Sequence, residues 1–316
     1  MTKTPVCPLC SNSDGTRVET IRTVDLDRLY EKEAGVSIQK MFHQVDSIDL
    51  MKCGQCDLQY FYPLIPGTQE FYEGLQKFDW YYFNDKPEFD LAVQYIKAED
   101  KVLEIGAGKG AFAKKIPSNE YIGLEFSDQA IKFAKANGVR LLASSIQDYS
   151  TSNKAEHDIV CNFQVLEHVS DVKEFLSSSV DCLKPGGRMI ISVPSIDSFS
   201  KYVSNFWTDM PPHHLTRWSD RALTSIAENF GLELLDIHHE KLQLVHKEFY
   251  AATVFSRSLS GIFGRPFLNL DLSLSARLIN RLANLLGGLF SRGLVSDVLL
   301  PRGISVVAVF RKPDAK

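Results

Sequence analysis

The chain has no run of eighteen apolar residues, so no helix long enough to cross a bilayer is expected. It has no charged-then-apolar opening of the secretory kind, and a cytoplasmic location is the resulting expectation. It has no basic excess. Thirty-five Lys and Arg face 39 Asp and Glu, a net charge of -4, which argues against nucleic acid as the main partner while leaving room for a local basic patch. Cysteine is scarce, at six, which excludes a disulfide scaffold. What remains is the composition of an ordinary globular protein, 44% hydrophobic and 23% charged, long enough at 316 residues for two domains or for one with appendages.

Four of the cysteines form two C-x-x-C pairs, Cys7/Cys10 and Cys53/Cys56. In a reducing compartment two such pairs fit a tetrahedral four-thiolate zinc site, and a closed shell of that kind is structural because no position is left for chemistry. Unligated thiols and a redox pair are the alternatives. Forty-two residues separate the pairs, a long gap that loop-closure entropy tolerates. Ser11 and Asp57 follow the pairs where glycine would suit the knuckle's backbone better. Cys161, in an apolar strand, and Cys182, near a helix end, are packing residues on this view.

The most informative stretch is Val102-Leu103-Glu104-Ile105-Gly106-Ala107-Gly108-Lys109-Gly110-Ala111-Phe112, a buried strand ending in an acid, then a glycine-rich turn, then a helix start. Glycines without a Cβ let the backbone turn tightly and approach a ligand. Gly106-x-Gly108-x-x-Ala111 also fits the dinucleotide fingerprint, and Glu125 lies nineteen residues on, where a ribose-binding acid belongs. Glu104 separates the two cases. Its carboxylate would repel a pyrophosphate held over the helix start. S-adenosylmethionine (SAM) has no phosphate but carries an ammonium and a sulfonium, which an acid attracts.

The 102–112 run resembles motif I of the class I SAM-dependent methyltransferases. Tyr121-Ile122-Gly123-Leu124-Glu125-Phe126 resembles their second strand and its ribose-binding acid. Asp158 to Val169, with Leu166-Glu167-His168-Val169, resembles their fourth strand and the segment after it, and Leu183-Lys184-Pro185-Gly186-Gly187-Arg188 resembles the turn before their fifth. Pro211-Pro212-His213-His214-Leu215, together with the N-terminal cysteines, resembles a bacterial subgroup that often modifies sugars or other small metabolites. The resemblance extends from Cys7 to Lys312 and is weakest over 241–302. The subgroup's histidine just before the last strand is replaced here by Gly303-Ile304-Ser305.

The resemblance implies an α/β fold: a doubly wound, Rossmann-like, seven-stranded methyltransferase sheet with an N-terminal zinc-ribbon-like region and a helical insertion before the last strand. It implies Glu104 at the methionine end of SAM, Gly106 and Gly108 close to the cofactor, and Glu125 on the ribose hydroxyls. Phe126 and Ile146 would wall the adenine, with Gln147 or Asp148 at its amino group, and Phe163 and Gln164 would stand beside the methyl. Tyr81 or Tyr82 would line the cleft. The expected organisation is a zinc-binding region over 1–66, an aromatic-rich helical lid over 67–99, the SAM-binding core over 100–240, a helical insertion over 241–302, and a final strand and tail over 303–316.

Apolar periodicity places strands near 101–105, 121–125, 139–143, 158–163, 188–194, 232–238 and 304–310, and helices near 88–96, 110–117, 128–137, 170–182 and 218–230. In the insertion Leu274, Leu278, Leu282, Leu285 and Leu289 recur at helical spacing beside Arg277, Arg281 and Arg292, which predicts a cap over the site or a homodimer surface. A membrane-surface helix is the alternative, with too few arginines to favour it.

Methyl transfer to oxygen calls for a base near neutral pH, and His168, His213 and His214 are the candidates. Loop stabilisation is the alternative role for the histidine pair, and capping for Glu167 and His168. No clear cluster of Asp, Asn and His is evident, so no catalytic metal is expected. The sequence thus favours methylation of a hydroxyl on a small polar acceptor such as a sugar or glycan precursor. Carbon methylation of a keto-sugar, an RNA methyltransferase gripping through the zinc ribbon, a SAM-binding partner without turnover and, remotely, an NAD-dependent oxidoreductase are the alternatives.

Overall fold

The computed structural model describes residues 5–75, 77–78, 85–293 and 300–314. Strands β1 (Gly15–Arg22), β2 (Ser47–Cys53) and β3 (Gln59–Tyr62) form an antiparallel sheet near the N-terminus, with helix Thr23–Ala34 between the first two. The main sheet is built from β4 (Lys101–Ile105), β5 (Glu120–Leu124), β6 (Leu141–Leu142), β7 (His157–Phe163) and β8 (Leu183–Pro194). A two-residue β9 (Thr216–Arg217) leaves it to join β3, so the small sheet runs β1-β2-β3-β9. β10 (Glu233–Lys241) and β11 (Arg302–Arg311) complete the main sheet in the order β6-β5-β4-β7-β8-β11-β10. β4 to β8 are parallel, and β11 is antiparallel to both of its neighbours. This is the seven-stranded, Rossmann-like arrangement expected, and its last strand runs reversed between β8 and β10.

The chain direction follows from local chemistry. Helices Asp128–Ala136, Val172–Cys182 and Asp220–Phe230 begin at Ser127, Asp171 and Ser219, whose side chains accept from the backbone N–H three residues on. Each of these helices then packs an apolar face on the sheet. The central strands are apolar on both faces, as strands covered on both sides must be: Val102, Leu103, Ile159, Val160, Ile190 and Ile191 are all buried.

One expectation changes. The helix near 110–117 is only a 3-10 turn, Phe112–Lys114, because Gly106, Gly108 and Gly110 all take positive φ and Pro117 closes the segment, leaving too few residues to propagate a helix. The leucine stripe of the insertion points outward. Leu274, Leu278, Leu282, Leu285 and Leu289 on helix Leu274–Phe290 are exposed, while Ala276, Ile279, Ala283 and Gly287 are buried. The small face packs on helix Lys247–Ile262 so closely that a Cβ on Gly287 would lie 2.6 Å from the Ala252 nitrogen. Small residues set the contact by letting backbones approach, and the large ones are left outside.

His157 opens β7 almost fully buried, with Nε2 3.1 Å from the Tyr149 hydroxyl and Nδ1 unpartnered among the described residues. Burial pushes it down to about 4. In the unfolded chain it would titrate near 6.5, so the native state binds fewer protons between those values. Its contribution is therefore complete above about pH 6.5 and is lost as pH falls towards 4, by at most about 3 kcal/mol. Urea unfolding of the intact chain should lose stability across that window more steeply than His157→Gln. Parallel pH profiles would refute the assignment.

Candidate active site and cysteine cluster

The carboxyl ends of β4, β5 and β7 meet at one edge, where open α/β sheets bind ligands. The turn after β4 is fixed by backbone geometry. Gly106 has φ 71°, and its N–H donates to the Leu124 carbonyl at 2.9 Å. A Cβ there would come within 2.5 Å of the Val165 side chain, so the turn and the segment after β7 touch. Gly108 N–H donates to Glu125 Oε2 at 2.8 Å, while Glu125 Oε1 accepts from the N–H groups of Phe126 and Ser127 at 2.8 and 2.9 Å. The acid at the end of β5 is thereby held against the glycine turn.

Glu104 is buried in β4 and accepts a hydrogen bond from the Tyr121 hydroxyl. Burial raises it to about 8, and the phenol's hydrogen bond opposes that rise. Phe126 is 74% exposed at this rim, an aromatic face left open beside the Glu125 carboxylate, and Ile146 is buried at the start of helix Ile146–Ser150 with half-exposed Gln147 and exposed Asp148 after it. Asp148 accepts from the Ser145 hydroxyl at 2.6 Å, within its own helix cap.

Phe163, expected beside the methyl, packs its ring between Phe89 and Phe112, with centroids 4.9 and 4.7 Å away, and is buried. Gln164 is held at φ 59°, unusual for a residue with a Cβ. Its amide donates to Ser192 Oγ at 3.0 Å, Ser305 Oγ at 3.3 Å and Glu88 Oε1 at 3.4 Å. The serine of Gly303-Ile304-Ser305 thus helps orient Gln164. Strain of this kind clusters where a site needs a fixed geometry. Tyr81 and Tyr82 lie outside the described residues.

The three candidate histidines converge. One ring nitrogen of each of His168, His213 and His214 lies within 4.8 Å of the others, with ring centroids 4.6 to 4.8 Å apart. Leu215 N–H donates to the Glu167 carbonyl at 2.7 Å, which ties the His213 loop to the turn Leu166–His168. Each Nδ1 faces an oxygen: His168 the His213 carbonyl at 2.5 Å, His213 the Thr208 carbonyl at 2.7 Å, and His214 Asp209 Oδ1 at 3.1 Å. Burial lowers His168 to about 4 and takes His213 and His214 well below the usual histidine range. All three are therefore neutral at pH 7.

Sequence reasoning gave Glu167 only a capping role. The structure buries it to 1% exposure among these rings, Oε1 standing 3.8 Å from His168 Nε2 and 3.9 Å from His214 Nε2. Burial raises it to about 8. Two residues behind the rings also escaped notice. Asp209 pairs with Arg217 at 2.9 Å, and Arg217 reaches Asn269 of the insertion at 2.7 Å. Tyr72 sets its ring edge-on to His168 at 5.9 Å. Only the clustering of polar residues around Pro211-Pro212-His213-His214 hinted at this arrangement.

The small sheet holds that loop in place. β9 follows it directly and pairs with β3, Phe61 N–H donates to the Leu215 carbonyl at 2.9 Å, and the buried Tyr30 hydroxyl donates to the carbonyls of Trp207 and Met210. Close to β3, the Sγ atoms of Cys7, Cys10, Cys53 and Cys56 lie within 4.8 Å of one another, with Cys7–Cys56 and Cys10–Cys53 each at 3.5 Å. A tetrahedral zinc with Zn–S of about 2.3 Å needs sulfurs about 3.8 Å apart, so the four thiols fit the ion. Ser11 and Asp57 take φ of 61° and 67°, and their N–H groups return to the carbonyls of Cys7 and Cys53 at 3.0 and 3.2 Å. These are the left-handed knuckle turns that glycine would have made more readily.

Residues 82–237 match a family model described as a methyltransferase domain. A protein of Mycolicibacterium smegmatis described as a "probable S-adenosylmethionine-dependent methyltransferase" is 31% identical over 144 residues, covering 43% of this chain and 52% of that protein. An uncharacterized protein of Methanocaldococcus jannaschii is 30% identical over 131 residues, covering 39% and 62% respectively. A ubiquinone biosynthesis O-methyltransferase of Vibrio vulnificus is 29% identical over 100 residues, 29% of this chain and 43% of the relative. The chain thus spans about half the length of the curated relatives it matches. A SAM-dependent methyltransferase of Archaeoglobus fulgidus superposes with a TM-score of 0.47 at 21% identity, over 71% of this chain and 91% of that one. The matched segment carries β4 to β8, the glycine turn and Glu125, and is similar to methyltransferase domains.

Proposed function

We propose that the protein transfers the methyl group of SAM to a hydroxyl of a small polar acceptor, with a sugar or glycan precursor as the acceptor class. The observation that carries the proposal is the junction of the glycine turn with Glu125, 2.8 Å from Gly108 N to Oε2, beside the histidine cluster that abuts it through Val165. On this proposal Glu125 takes the ribose hydroxyls, Phe126 and Ile146 flank adenine with Gln147 at its edge, Glu104 meets the methionine ammonium, and Gln164 stands at the end where the methyl departs. A sulfonium needs little further activation, so the protein's work is to align donor and acceptor. His168, His213 and His214 are neutral at pH 7, the form that accepts a proton from an acceptor hydroxyl. Glu167 stands near enough to compensate an imidazolium so formed.

The four cysteines hold a structural zinc on this proposal, and its task is to brace β3, and through β9 the His213 loop. Relatives described as O-methyltransferases support an oxygen acceptor without identifying it. The experiment is transfer of labelled methyl from SAM into the small-molecule fraction of a cell extract. A labelled hydroxyl ether, lost on heating the protein, is the expected product. Label on carbon would support the keto-sugar alternative, label in RNA the nucleic-acid one, and no label despite SAM binding would support a partner without turnover.

A further inference from the structure

The histidine cluster has a property that acid–base catalysis does not require. In all three rings Nδ1 lies against an oxygen, and two of those oxygens are carbonyls, which only accept. Nδ1 of His168 and His213 therefore carries the hydrogen, and Nδ1 of His214 does so where Asp209 is ionised, which makes Nε2 the acceptor nitrogen of the ring. Rings that bind metals are held this way, one nitrogen donating to a carbonyl or carboxylate and the other offered to the ion. The acid facing Nε2 of His168 and His214 is Glu167, whose two oxygens are buried and find no hydrogen-bond partner among the described residues. A buried carboxyl without a partner is costly, and a cation bound between it and the rings would satisfy it.

We infer that His168, His213, His214 and Glu167 form a second metal site, for a divalent first-row transition ion, distinct from the cysteine cluster. Three imidazoles and a carboxylate suit zinc, iron or cobalt rather than magnesium or calcium, which take oxygen ligands. Ligands about 2.0–2.2 Å from an ion in tetrahedral array stand about 3.3–3.6 Å apart. Glu167 Oε1 is 3.8 and 3.9 Å from two ring nitrogens, and the three ring nitrogens lie within 4.8 Å, so a modest contraction closes the shell. Asp209, braced by Arg217, holds His214 from behind. The His168 side chain is 22% exposed, so the cluster is reached from solvent.

The site stands on geometry alone. Its use rests on the methyltransferase proposal but replaces the histidines as base, since their lone pairs would be on the ion: an ion of five or six coordination would keep a position for an acceptor oxygen and lower that oxygen's pKa. The test is the cobalt content and absorption spectrum of the intact chain, stripped of metal and reloaded with Co2+, with S-adenosylhomocysteine binding measured on the same sample. Two equivalents are expected, one with intense sulfur-to-cobalt absorption and one without. His214→Ala and Glu167→Gln should each hold only the sulfur-bound equivalent, and His168→Ala serves if either fails to fold. One equivalent in the intact chain, or a second that survives all the substitutions, would overturn the inference. The homocysteine titration reports the cofactor proposal separately, so either can fail alone.

Discussion

Glu125→Ala is expected to weaken S-adenosylhomocysteine binding about 100-fold, with the protein still folded. Two losses add. On the proposed reading the carboxylate takes two ribose hydroxyls, and hydrogen bonds to a charged group contribute about 1.5–3 kcal/mol each, of which part is recovered by water. It also accepts from the N–H groups of Gly108, Phe126 and Ser127, so its removal frees the glycine turn from the end of β5. The turn then samples more conformations, and the ligand must reorder it. Glu125→Gln keeps an acceptor for the turn but loses the charge, and should fall between the two. Calorimetric titration of the three proteins checks the series, and an unchanged affinity in Glu125→Ala would remove Glu125 from the site.

The second large effect is on the cysteine cluster. Cys53→Ser with Cys56→Ser should cost about 4 kcal/mol of stability, near 10 °C in Tm for a chain of this length, and lose one equivalent of zinc. The cost arises because two knuckle turns with non-glycine residues in the left-handed region depend on the cluster, and because Cys7, Cys53 and Cys56 are continuous with the core that contains Trp218 and Leu223. Loosening β3 frees β9 and the His213 loop, so methyl transfer should fall at least tenfold while homocysteine binding at β4 and β5 changes little. Substitution is preferable to a chelator because it spares the histidines. Full zinc content and an unchanged Tm in the double variant would contradict the structural role.

What the sequence makes legible is whatever one segment encodes by itself. Mostly apolar runs such as Val102–Ile105 and Ile159–Phe163, each with one polar residue, are strands because both their faces are covered, and the positions of Gly106, Gly108 and Glu125 in the motif bring them together in space. Features made by distant pairing are silent. β9 is two residues long and carries no periodic signal, yet it fastens the His213 loop to the N-terminal sheet. Glu167 is one residue in a short turn, and its place among three rings exists only after that turn meets the loop. The leucine stripe of the insertion is legible, but which face of its helix packs within the chain is not. A helical apolar stripe implies burial only where no smaller-residue face can pack more closely, and Ala276, Ala283 and Gly287 provide one. Phe163 ends its strand beside the cleft in sequence, but its ring faces Phe89 and Phe112.

The central claim is that the junction of the glycine turn with Glu125 and Glu104 binds SAM rather than a dinucleotide. Its most direct test is calorimetric titration of the intact, folded chain with S-adenosylhomocysteine and, in parallel, with NAD+. A low-micromolar Kd for the first and no heat from the second is the predicted result. NAD+ binding, or silence from both ligands, would contradict it.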